Sequence, residues 1–188
     1  MKRGFYRKFA VDCIRKNKQN YIPYLLTCAL MVTVFFIIQS MLNNSGLADT
    51  FGGSGIALML QIGNRIMVLF SAVFLFYTNS FLIKQRRHEF GLYNVLGLEK
   101  SHITRIIFHE TLIIAGSSLI LGILAGMLLY KLAYAALMRL MQAEVPLGFE
   151  VSGRAILYTV ILFAVIHLIL FLARYFKSTF ILYTGSFR

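Results

Sequence analysis

KQRRHEFGLYNVLGLEKSHITR, Lys84 to Arg105, lies between two long apolar segments and is the most polar interval in the middle of the chain. Lys84, Arg86, Arg87, Lys100 and Arg105 hold it on the cytoplasmic side of a membrane, where basic loops are retained. Phe90, Tyr93, Leu96 and Leu98 punctuate charged and small residues, a pattern that predicts a short helix at the membrane surface with apolar side chains offered to a partner. Gly91 and Gly97 divide it into short helical pieces, as suits a bent connector. The flanking apolar segments are expected to present this piece and to move with it.

Outward from the connector the chain is a series of charge-free runs: Tyr21 to Leu42, Ile66 to Ile83, Thr111 to Tyr130 and Ala155 to Ala173. Each is about the 17–25 residues that cross a bilayer core as a helix. A hydrophobic share of 59% and a mean hydropathy of +0.74 over 188 residues exclude an ordinary soluble domain. The expected fold is an all-α integral membrane protein with four transmembrane helices, cytoplasmic termini, and a short cytoplasmic coupling helix between spans two and three.

With the termini and connector inside, fifteen of the nineteen basic residues fall on one side, and Arg65, Lys131, Arg139 and Arg154 fall on the other. The formal charge of +12 is thus a topology signal, and no nucleic-acid partner is expected. Cys13 and Cys28 lie before and within the first run, so no disulfide framework is implied.

The expected division is a cytoplasmic amphipathic segment over 1–20, a first span over 21–42 and an extracytoplasmic loop over 43–55. A module over 56–173 follows, with helices near 57–83, 106–130 and 155–173 around the connector 84–105, and then a cytoplasmic tail over 174–188. Pro23 fits the first turn of span one. Asn79, in the inner third of span two, is expected to hydrogen-bond to another helix. Ser118, Gly122 and Gly126 recur every fourth residue on span three, a stripe that lets a second helix approach closely. Span two or a further transmembrane module is the expected neighbour. His167, shortly before Arg174, is read as a hydrogen-bonded histidine rather than a proton site.

A search for catalysis fails. His88–Glu89 and His109–Glu110 lack the second histidine four residues on that a zinc-peptidase helix requires, since Leu92 and Ile113 stand there. GGSGI around Ser54 lacks the final glycine of a nucleophile elbow. No phosphate-cradling loop occurs either, so the chain is expected to be a non-enzyme with no metal or cofactor. Glu110 reads as the start of span three, where the helix dipole favours a carboxylate, within reach of Arg86 or Arg87.

FLFYTNSFLIKQRRHEFGLYNVLGLEKSHITRIIFHETLI resembles the membrane-helix and connector motif of FtsX-like permeases. The matching positions are Lys84, Arg86, Arg87, Glu89, Gly91, Leu96, Gly97 and Glu110. With the basic amino-terminal segment and first span, the sequence is similar to the BceB-type permeases of antimicrobial-peptide resistance transporters. The resemblance implies a bacterial cell-membrane protein that partners an ABC-type ATPase, with Glu89, Phe90, Gly91, Leu92, Tyr93, Leu96 and Gly97 touching that subunit. It also implies a role in resistance to peptides such as bacitracin, often with signalling through a membrane histidine kinase. Family members have ten spans and a large extracytoplasmic domain. Four spans are therefore expected to be a fragment, a truncated product or half of a split permease, completed by further spans or a second copy. The alternative is a small four-span regulatory or immunity protein that binds a larger membrane complex.

Overall fold

A computed structural model describes residues 3–44, 53–85, 100–141 and 152–184. They form five helices and no strand: α1 (Arg3–Lys16), α2 (Lys18–Leu42), α3 (Gly53–Gln85), α4 (Lys100–Leu140) and α5 (Gly153–Thr184). The last four are each long and apolar enough to cross a membrane. The architecture is all-α with four candidate spans, as their charge-free runs dictate. Arg86, Arg87 and the connector positions from Glu89 to Gly97 lie outside the described residues.

Three helices far outrun a bilayer core. The 33 residues of α3, the 41 of α4 and the 32 of α5 rise about 50, 62 and 48 Å, against about 30 Å of hydrocarbon. α2 begins at Lys18, so Pro23 is its sixth residue and removes one hydrogen bond, that to the Gln19 carbonyl. Only Asn17 separates α1 from α2, and α1 turns its buried Ala10 and Cys13 inward and packs chiefly on α4.

α2 and α4 run parallel and in register. Tyr21 meets Glu110 near the α1 end of the bundle and Thr33 meets Gly122 further along, each pair 89 residues apart in sequence. α3 runs the opposite way, because Met31 meets Ser71 while Gln39, further along α2, meets the earlier Asn64. α5 is also antiparallel to α2: Phe35 packs on Phe163, and Tyr24, nearer the start of α2, lies under Arg174.

The α2–α4 seam is closed by the glycine stripe. A Cβ on Gly122 would stand 2.5 Å from the Val32 Cβ and 2.8 Å from the Ala29 carbonyl oxygen. A Cβ on Gly126 would stand 2.7 Å from Cδ1 of Phe36. The bare backbone lets the Thr33 hydroxyl reach two carbonyl oxygens, Ala29 at 2.8 Å on its own helix and Gly122 at 3.0 Å across the seam. The helix in the seam is thus span one, in place of the expected span two or further module. The parallel register sets Ala29, Val32, Thr33 and Phe36, one face of α2, against the stripe.

A main core joins Cys28, Val32, Phe35, Leu75, Ile114 and Phe163 in the middle of the bundle. A second, at the end away from α1, joins Met41, Tyr130, Tyr134 and Met138 with Ile56 and Leu60 against them. The outward faces of the spans, such as Leu69, Val73, Leu128 and Leu168, are exposed and apolar, which suits a hydrocarbon solvent.

The three glycines of α4 predict an order of cost. Gly122→Ala drives a methyl into Val32 and a carbonyl and should destabilise by about 1–3 kcal/mol. Gly126→Ala meets only a ring that can turn, and should cost less. Gly116→Ala, where nothing lies within 4 Å, should be neutral. Unfolding titrations in mixed detergent micelles check this order, and equal loss at Gly116 and Gly122 would remove the seam.

Candidate functional site

Near the α1 end, the apolar core gives way to a buried polar node to which all four spans contribute. Arg174 of α5 is only 5% exposed and Asn79 of α3 only 1%. The Arg174 Nε donates to the Asn79 Oδ1, and Nη1 donates a long bond, 3.4 Å, to the Thr111 Oγ1 of α4. Thr111 can accept because its own hydrogen goes to the Ile107 carbonyl at 2.9 Å. From α2, the Tyr24 ring lies beneath the guanidinium, 5.5 Å from its carbon to the ring centroid. Cation–π attraction is worth about 2 kcal/mol or more at a desolvated site such as this one.

No carboxylate pairs with Arg174 among the described residues. A charge removed from water needs all its hydrogens placed, and here two donors, Arg174 Nη2 and Asn79 Nδ2, have no acceptor among those residues. Beside this node the Tyr21 hydroxyl donates to Glu110 Oε2 at 3.0 Å, again joining α2 to α4. His167, seven residues before Arg174 on α5, keeps Nδ1 2.8 Å from the Phe163 carbonyl oxygen, so Nδ1 carries the hydrogen.

Two readings of the sequence change here. Arg174 does not open a tail, because α5 continues to Thr184 and draws its guanidinium into the bundle. Glu110 does not cap α4, which starts ten residues earlier at Lys100; it is a buried acceptor. Asn79 is the acceptor for a buried cation. The sequence signal for this node was Asn79, a polar amide within a charge-free run. Tyr24 and Thr111 carried no such signal. Of the other candidate positions, Lys84 and Arg105 are exposed, and Ser118 is buried with its Oγ 3.1 Å from the Ala115 carbonyl. Among the described residues no three His, Cys, Asp or Glu side chains gather as a metal site would require.

A family model described as "FtsX-like permease C-terminal" matches residues 64–181, a range that includes Asn79, Thr111 and Arg174. The chain belongs to the FtsX-like permease family. An FtsX-like permease with four helices able to span a bilayer is a multi-pass membrane protein. The chain is 29% identical to the ABC transporter permease YvcS of Bacillus subtilis over 156 residues, 82% of this chain and 24% of that protein. It is 27% identical to the bacitracin export permease protein BceB of the same organism over 162 residues, 86% of this chain and 25% of BceB. BceB of Halalkalibacterium halodurans is 28% identical over 162 residues, with the same coverage of 86% and 25%. This FtsX-like permease thus spans about a quarter of the length of the relatives it matches.

The node predicts opposite effects of two changes at one position. Asn79→Leu removes the acceptor of a buried cation and should destabilise by about 1–3 kcal/mol. Asn79→Asp supplies a carboxylate to Arg174 and removes the unpartnered Nδ2, and should hold or raise stability. Thermal unfolding of the three proteins in one detergent measures both, and equal loss in both variants would dissolve the node.

Proposed function

We propose that this chain is the permease part of an ABC transporter, coupling ATP hydrolysis in a separate ATPase subunit to movement of its membrane helices. The observation that supports this most is the Arg174 node. Its hydrogen-bond acceptors, Asn79 and Thr111, stand on α3 and α4, the two helices that the stretch 86–99 connects. A force on that stretch reaches both helices, and α5 is tied to both through one guanidinium.

In this reading the termini and connector face the cytoplasm of a bacterial cell, as the placement of basic residues favours. Glu89, Phe90, Gly91, Leu92, Tyr93, Leu96 and Gly97 meet the ATPase, which alone carries out catalysis. The similarity to bacitracin export permeases supports a part in resistance to antimicrobial peptides, with a membrane histidine kinase as a further partner. Additional permease spans or a second copy complete the transporter.

Two sets of variants test contact and coupling separately. Glu89→Arg or Gly97→Leu should abolish co-purification of the ATPase. Arg174→Gln should leave the ATPase bound while ATP-dependent resistance falls. Unimpaired association in both connector variants sinks the proposed contact, and resistance that survives loss of the ATPase points to the small regulatory protein instead.

A further inference from the structure

Beside the node, and sharing Thr111 with it, lies a groove of about 380 Å³ between α4 and α5. Leu112, Ala115, Gly116 and Leu119 form its α4 wall, and Ala164 and Leu168 face them from α5. Leu112, Ala164 and Leu168 are exposed, so the groove opens sideways along two membrane-spanning helices. At its end nearer the node, Phe108 and Phe171 meet edge to face with centroids 5.4 Å apart and give it an aromatic floor.

The length and the neighbouring charge point to one occupant. From Phe108 to Leu119 the groove follows α4 for about 16 Å of helix rise, which is the depth of one leaflet, about 15 Å. A single hydrocarbon chain matches both length and lining. One turn before Phe108, on the stripe of Phe108 and Leu112, stands the exposed Arg105. Opposite it on α5, Tyr175 is 40% exposed on the stripe of Leu168 and Phe171. A cation and a phenol at the level where the apolar run ends are the groups that meet lipid headgroups.

We infer that the α4–α5 groove is a binding site for an anionic glycerophospholipid of the leaflet at the α1 end, with one acyl chain in the groove and the phosphate at Arg105. The site is independent of the transport reading, since it needs no ATPase and no nucleotide.

The test is native mass spectrometry of the full chain reconstituted in vesicles of equal phosphatidylglycerol and phosphatidylethanolamine, then released into mild detergent. The wild-type chain should retain one lipid, phosphatidylglycerol in preference. Gly116→Leu fills the groove from a position where a Cβ meets nothing within 4 Å, so the fold should stand. It should lower retention about tenfold, equivalent to about 1.4 kcal/mol. Ala164→Leu fills the groove from the other wall and should do the same. Arg105→Gln should keep a lipid but lose the preference for the anionic head. Undiminished retention in both groove variants, with unfolding midpoints unchanged, overturns the site. Equal uptake of the two lipids by the wild-type chain overturns the headgroup assignment.

Discussion

Two backbones can pass at the distance of the α2–α4 seam only where side chains leave room, and the rest of the bundle depends on that approach. Gly122 and Gly126 supply the room, and Thr33 uses it to bond to a backbone carbonyl on another helix. In hydrocarbon the lipid tails are as apolar as leucine, so burial alone gives helices little reason to associate; close packing and cross-helix hydrogen bonds supply it. The seam also fixes register. Slipping α4 by one residue turns it about 100° and carries the glycines away from Val32 and Phe36.

The constant offset along the seam places Tyr21 beside Glu110, and the same register brings Thr111 to the level of Tyr24 and Arg174. The buried cation therefore depends on a packing contact several turns away. α3 and α5 approach from the other sides and contribute Asn79 and Arg174, so the node closes only when all four spans are aligned.

The four spans are legible in the sequence because charge is excluded from hydrocarbon, and the runs without it are long. The glycine stripe is legible for the same reason that its partner is not: a face without side chains accepts any helix of suitable relief. Span one was selected by Ala29, Val32, Thr33 and Phe36, whose match to the stripe is evident only once the two helices lie parallel. Arg174 was hidden by its place one residue past a charge-free run, where arginines usually mark a membrane boundary. Glu110 was misread because α4 begins at Lys100, a start that the change from polar to apolar residues puts too late.

α4 is one continuous helix of 41 residues, and the seam grips it near its middle. About 33 Å of helix lies on the Lys100 side of Gly122 and about 27 Å on the Leu140 side. Such a rod is a lever with its fulcrum inside the bilayer. A swing of about 10° about the seam moves each tip by about 5 Å, in opposite directions, with no change in the helix itself. The contacts that such a swing would have to break are Tyr21–Glu110 on the Lys100 side and the core of Met41, Tyr130, Tyr134 and Met138 on the other.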